Sequence, residues 1–430
     1  MFATIKQIFS PRNKDIRNRI LFTLFVLFIF KVGTAVTVPG TETLTKDLGF
    51  LDLWSAMSGG ALESFSIFAL GVGPYINASI ITQLLQMDII PYFSDLAKQG
   101  HTGKQKLNQI TRFLGIAFAL FQGFAMSYIF LNQGYSIIER LEVAFIMTAG
   151  TAFLLWLGDQ VTQKGFGNGT SLIIMAGILS SLPYTMKTAF TTLIDLGGSK
   201  SAIISGIASF ALFLLVCILV VIAVIFVEGA ARRISIQYAN KSTANLGKQT
   251  YMPIKINSAG VIPVIFASSL LAVPVTIAQF VKNESFSNFV NTYISYTTPV
   301  GLILYIIFIV FFDYFYTFIQ MKPDQMAKNL KDNGGYVPGI RPGKDTEKYF
   351  SSMLIKLTTA GSVFLAIIAA FPILLNMLTK LPSSVSIGGT SLLIVVGVSV
   401  ETYKQMESAL LSREYTSSNT STRGKRRARR

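Results

Sequence analysis

Long uncharged stretches constrain this chain more than any other feature. Residues 203–227 carry no charged side chain, and 113–138, 256–281 and 357–379 are also uncharged. Each exceeds the roughly 20 residues that cross a bilayer as a helix. Backbone polar groups in hydrocarbon must find partners within the segment, so such runs are membrane helices. Strands of a membrane barrel alternate apolar and polar positions over about ten residues, and these runs do not alternate. Apolar residues make up 51% of the chain and charged ones only 13%, about half the charged share of a soluble domain. The fold class is therefore all-α and polytopic.

Ten spans are expected, near 20–38, 72–90, 113–131, 143–160, 168–186, 203–227, 258–281, 300–319, 354–376 and 387–402. An even number puts both termini on one side, and basic residues mark the cytoplasmic side. Of 37 Lys and Arg, 29 lie in the N-terminus, the loops 91–112, 228–257 and 320–351, the 164 turn and the tail, against six in the alternate loops. Both termini and the two largest loops are thus expected in the cytoplasm. The basic start is not followed by a small-residue cleavage pattern, so the first helix is expected to be retained. The net charge of +16 mostly follows this topology. The tail 403–430 is expected to be a disordered basic arm, either a solvated topogenic tail touching anionic lipid or a polyanion-binding segment. The expected organisation is a basic N-terminus 1–19, a half at 20–190, a half at 203–402 and the tail. Five spans per half put the halves in opposite orientations, the arithmetic of an inverted repeat.

The pattern breaks twice. Residues 58–70, SGGALESFSIFAL, are too short to cross and include Glu63, and Gly71, Gly73 and Pro74 follow. Gly and Pro interrupt helix geometry there. The segment is either a short half-helix hinged to a full span or an interfacial helix before a kinked span. The second break, KGFGNGTSLIIMAG at 164–177, lacks the strand and the lysine of a phosphate loop. It reads as a tight turn between two spans.

Chemistry is sparsely provided for. Cys217 is the one cysteine, so neither a disulfide nor a thiolate metal site can be built from this sequence. His101 is the one histidine and is expected to be solvated. Asp313 lies inside an apolar run and is a functional candidate by default, but the sequence offers it no second buried acid or basic partner. Lys31 can snorkel or pair with a neighbouring helix or subunit. No cofactor or enzymatic activity is expected.

Several separated blocks resemble the SecY family, the channel subunits of the bacterial Sec translocon. They are FKVGTAVTVPG at 30–40, SGGALESFSIFALGVGPYINASIITQLL at 58–85, WLGDQVTQKGFGNGTSLIIMAGI at 156–178, NSAGVIPVIFASS at 257–269, NLKDNGGYVPGIRPGKDTEKY at 329–349 and GGTSLLIVV at 388–396. The resemblance implies an hourglass channel for unfolded polypeptides in the bacterial plasma (inner) membrane, closed from outside by a plug at 58–70. Matched positions imply an apolar pore ring of Val72, Ile76, Thr170, Ile174, Ile265 and Ile394, where Thr170 replaces a usually apolar residue. Plug and hinge map to Gly59, Gly60, Phe65, Gly71, Gly73 and Pro74. A lateral gate toward lipid maps to Asn77, Gln122, Asn257, Ser268, Ser269 and Val273. Arg341, and with less specificity Arg232 and Arg233, match loop positions that engage partners. The implied partners are SecE-type and SecG-type small subunits, the SecA motor ATPase, the ribosome, signal peptides, nascent chains and membrane lipid. The chief alternative is a secondary transporter, since inverted halves with broken helices also describe transporters. That reading needs convergent polar groups at mid-membrane, where only Asp313 is on offer. A membrane-embedded enzyme would need paired acids or a nucleophile with its base, and neither is visible.

Overall fold

The computed structural model describes the chain except residues 1–13, 40, 42–54, 56–57, 63, 87–89, 132–133, 195–199, 239–249, 281–283, 296–297, 380–387 and 428–430. It is mostly helical, and each of the ten expected spans falls on a helix. These are α1 (Lys14–Thr34), α2 (Gly73–Leu85), α4 (Gly100–Phe130), α5 (Ile137–Lys164), α6 (Gly169–Leu193), α7 (Lys200–Gly229), α8 (Ile262–Phe280), α10 (Pro299–Met321), α12 (Lys344–Thr379) and α13 (Gly388–Arg427). The shorter α3 (Pro91–Lys98), α9 (Glu284–Tyr293) and α11 (Pro323–Asp332) lie between them. Among the described residues, six helices are long and apolar enough to cross a membrane: α4, α5, α6, α7, α10 and α12. The chain divides into two compact units. The first holds the described parts of Met1–Leu48, Leu53–Pro183 and Val398–Arg430, the second those of Tyr184–Gly397.

In the first unit α2 packs on α4, and α5 packs on α4 and α1. The α4–α5 pair is pinned at both ends. At one end Arg112 pairs with Asp159 at 2.5 Å. At the other, buried Arg140 donates to the Ser127 carbonyl at 2.7 Å and lies 4.4 Å over the Tyr128 ring. That carbonyl, in the last turn of α4, also accepts from the Leu131 N–H at 3.0 Å, so the guanidinium is a second donor at the helix end. α5 begins where Ser136 and Glu139 form a capping box, each side chain accepting from the other's backbone N–H.

In the second unit α10 packs against α8 and α12. The two large loops expected in the cytoplasm build a small sheet of order β2-β1-β3 from β1 (Ala231–Tyr238), β2 (Thr250–Lys255) and β3 (Gly335–Tyr336). Alternation in ARRISIQY puts Ile234 and Ile236 on one face of β1. They join Ile254, Ala327, Leu330, Val337, Phe350, Met353 and Leu354 in one buried cluster.

Where a disordered arm is expected from residue 403, α13 continues to Arg427. Met406 and Leu410 lie one helical turn apart, and Leu410 packs with Ile16 of α1 and Phe166. A run of good helix formers, KQMESALL, with that apolar pair accounts for the continuation as far as Leu411.

Candidate functional site

The half-helix expected at 58–70 is instead a run of turns among its described residues. Gly59 (φ 75°), Gly60 (φ 79°), Phe65 (φ 45°) and Gly71 (φ 56°) all adopt left-handed backbone, which no continuing helix tolerates. Phe65 is not glycine, and its surroundings hold it there. The Val38 N–H donates to its carbonyl at 3.0 Å, and the Ile67 N–H donates to Val36 at 3.0 Å. Thr37 thereby pairs with Ser66 in a single antiparallel bridge. The loop's ends meet, because a Cβ built on Gly71 would stand 3.5 Å from the Ser58 Cβ. Ala61, Leu62, Phe65, Ser66, Phe68, Ala69 and Leu70 are all buried. Glu63 lies outside the described residues.

Three helices grip this loop. The Phe68 ring stacks between Phe30 of α1 and Phe153 of α5, with centroids 6.1 Å from each. It occupies the space where Gly33 has no side chain, and Gly150 of α5 gives the same close approach to the Ile67 carbonyl. At its other end, a Cβ on Gly59 would stand 3.2 Å from the Gly177 Cα of α6. Sequence reading did not single out Gly33, Gly150 or Phe68. Small residues on membrane helices are the signal for such approaches, but they do not name the partner. Gly73 then opens α2, and Pro74 sits in its first turn, where a missing N–H costs nothing.

Of the expected ring, Val72, Ile76 and Ile174 are buried and Thr170 half-buried in the first unit. Ile265 and Ile394 are buried in the second. The Ile76 N–H donates to the Val72 carbonyl at 3.1 Å, so those two share a helical face. The turn expected at 164 is formed: Gly167 is left-handed (φ 83°), and Gly169 lies directly on the Gly158 backbone. The Phe166 N–H donates to Thr23 at 3.2 Å, joining the turn to α1.

Of the expected gate residues, Asn77 is half-buried on α2 and Gln122 buried on α4. Ser268 and Ser269 are buried on α8, and Val273 is 40% exposed. Asn257 precedes α8 and builds its entry turn: its Oδ1 accepts from the Gly260 N–H and its Nδ2 donates to the Gly260 carbonyl, both at 3.0 Å. The same Nδ2 donates to Glu228 Oε1 at 2.8 Å. Glu228 is a second buried acid that the sequence did not reveal. Gly361 of α12 faces both Asn257 and Asp313. Asp313 Oδ2 and, one turn on, Thr317 Oγ1 are buried without a hydrogen-bond partner among the described residues.

Arg341 is exposed at a turn between Pro338 and Pro342, and its backbone carbonyl accepts from Thr346 Oγ1 at 2.8 Å. Arg232 and Arg233 are exposed at the start of β1, opposite Ile254 and Pro253 of β2. β3 pairs with the other end of β1, at Gln237 and Tyr238. The three arginines therefore share one module, with the β3 side about 13 Å along the strand from Arg233. His101 is exposed in the first turn of α4. Among the described residues, no group of three His, Cys, Asp or Glu could hold a metal ion.

A sequence model of the SecY family matches residues 66–403. The chain belongs to the SecY family. It is 46% identical to the protein translocase subunit SecY of Bacillus subtilis (strain 168), over 96% of this chain and 99% of that one. Solved SecY-family folds resemble it at lower identity. One is a SecY channel described as having a plug domain that stabilises the closed state and maintains a membrane seal (TM-score 0.62, 19% identity, 91% and 92% of the two chains). Another is Sec61 in the canine ribosome–channel complex from the endoplasmic reticulum (TM-score 0.58, 18% identity, 91% and 92%). At those identities they attest the SecY fold alone.

Proposed function

We propose that the chain is the pore subunit of a protein-conducting channel, passing unfolded secretory polypeptides across the membrane and releasing apolar segments sideways into lipid. The observation that carries this reading is the buried 58–71 loop. Irregular backbone at span depth survives only where protein buries it or a water-filled cavity receives it. A loop gripped by three helices and adjoining Val72 suits a plug. On this reading Val72, Ile76, Thr170, Ile174, Ile265 and Ile394 form a gasket that bars ions by dewetting and makes no sequence-specific bonds to a passing chain. Asn77, Gln122, Asn257, Ser268, Ser269 and Val273 line a seam that a signal peptide wedges open. Interhelical polar contacts of about 1 kcal/mol each bias such a seam without locking it.

Arg341, Arg232 and Arg233 present a docking surface to a SecA-type motor or a ribosome, and the work of transport is imported from those partners. SecE-type and SecG-type subunits complete the assembly. Its place is the bacterial inner membrane with both termini cytoplasmic. Packing of Ile16, Phe166 and Leu410 in one cluster supports that topology, because basic residues assign all three segments to the same side. The SecY-family match sets the transporter alternative aside. The test is reconstitution with the small subunits and a SecA-type ATPase in sealed vesicles. ATP-dependent protection of a secretory precursor from external protease is expected. Solute uptake without polypeptide protection would overturn the reading.

A further inference from the structure

Helix α9 joins neighbouring ends of α8 and α10, and neither the pore, the seam nor the docking module uses it. In ESFSNFVNTY the one buried residue is Val290, which packs with Val275 and Ala278 of α8, with Ile294 against them. At about 100° per residue, Phe286, Phe289 and Tyr293 form one stripe beside Val290, and Glu284, Asn288 and Asn291 lie opposite. The three aromatics are not in the core: they are 36%, 53% and 49% exposed. The rings of Phe289 and Tyr293 contact each other, with centroids 5.2 Å apart.

The orientation of this stripe is fixed by the corner into α10. Thr298 caps α10 through the Gly301 N–H at 3.2 Å, and its hydroxyl donates to the Ser295 carbonyl at 2.8 Å. Any side chain on Gly301 would overlap that same carbonyl. The adjoining spans also present apolar side chains outward: Ile277 in the last turn of α8, and Val300 and Ile303 in the first turns of α10. An aromatic stripe with a polar face opposite, level with two span ends, has the chemistry of the bilayer interface. Aromatic residues concentrate there, and amphipathic helices lie there.

We propose that α9 is an interfacial anchor, lying in the headgroup region of the outer leaflet with Phe286, Phe289 and Tyr293 inserted among the lipids. Only the word outer rests on the topology argued above. The anchor ties down the end of α8, the helix that carries Ser268, Ser269 and Val273, so opening of a seam at α8 pivots about a fixed outer end.

The test places an environment-sensitive NBD fluorophore on the full chain, assembled with its small subunits in phospholipid vesicles. Single cysteines Phe289→Cys and Asn288→Cys are introduced with Cys217→Ser. The label at 289 is expected to be several-fold brighter than at 288 and to be quenched by lipids carrying a nitroxide near the headgroup. The label at 288 is expected to be quenched by aqueous iodide. Phe286→Cys repeats the measurement on the same stripe, in case loss of Phe289 loosens the corner. Equal iodide quenching at 288, 286 and 289 overturns the proposal. So does protection of 286 and 289 from both quenchers, which would mean a protein covers the stripe. Iodide supplied from each side in turn reports the leaflet, so an inverted topology is distinguished from failure of the anchor.

Discussion

The 58–71 loop and the sheet module both interrupt the spans, and they are held together in opposite ways. Within the loop the bonds are short-range turns, such as the Ser66 N–H to the Ala61 carbonyl at 2.8 Å, and its long-range fixed points belong to other elements: the Val36–Val38 backbone, the rings of Phe30 and Phe153, and the bare faces of Gly33, Gly150 and Gly177. The module has a core of its own, from Ile234 and Ile254 across to Phe350 and Leu354. A segment held from outside can be released by a small change in its surroundings, whereas one with its own core keeps its shape while something pulls on it. The first suits a seal and the second a docking platform.

The largest effect expected separates the platform's surface from its core. Arg341→Glu is expected to abolish motor-driven protection of a precursor while leaving membrane abundance unchanged. The side chain is exposed, and the Thr346 hydroxyl uses only the backbone carbonyl; reversing a charge on a docking surface removes its complementarity. Phe350→Ala is expected to do the reverse first, costing about 3–5 kcal/mol of local stability and lowering abundance. Immunoblots of membranes alongside the protection assay tell them apart. Full transport by the Arg341 variant would remove it from the platform.

A smaller effect is expected at the seal. If the proposed gasket forms, asparagine at Ile76, Ile174, Ile265 or Ile394 hydrates a zone that would otherwise exclude water, so ion leak and export of signal-defective proteins are expected to rise. Ile222, 57% exposed on α7, is the control. There a polar group faces hydrocarbon and weakens insertion without opening a pore. Conductance of reconstituted vesicles decides it, and ring variants that behave like the control would end the gasket. Gly33→Ala tests the grip itself, because the added methyl overlaps the Phe68 ring. Overpacking of that kind costs about 1–3 kcal/mol. The leak it causes is expected to be reduced by Phe68→Leu, and failure of that rescue would move the grip elsewhere.

The spans were legible because a bilayer demands about 20 apolar residues in a row, a signal local to each segment. The sheet was not, because β1 is eight residues long and its partner β3 supplies only two, from the other loop. The 58–71 loop was legible as a break but not as turns: the left-handed Phe65 depends on Val38, and its own residue type does not favour that backbone. The burial of Glu228 was not legible for the same reason, since only the meeting of the end of α7 with the entry of α8 sets it against Asn257. At the start of the tail the helical continuation was legible in the Met406 and Leu410 pair, one turn apart, but their partners Ile16 and Phe166 come from distant segments.

The finest expected difference lies between glycines. Gly60 in the loop (φ 79°) and Gly339 in the module (φ 82°) share a left-handed backbone, and an added Cβ would meet nothing within 4 Å at either. Alanine at each therefore carries only the conformational cost, about 1–2 kcal/mol. The consequences are expected to differ. In the loop the cost falls on the closed arrangement, and since 1.4 kcal/mol is about tenfold in an equilibrium, the open population and the leak rise by about five- to thirtyfold. In the module the core keeps its fold, and Gly339→Ala leaves conductance unchanged. Gly59→Ala sharpens the contrast, because its Cβ would also press on the Gly177 backbone at 3.2 Å. Backbone cannot swing aside as a side chain does, so its leak is expected to exceed that of Gly60→Ala. Single-channel recording of the three variants checks the order, Gly59 above Gly60 above Gly339. Equal leak from Gly60→Ala and Gly339→Ala would mean that the loop, like the module, is held by something of its own.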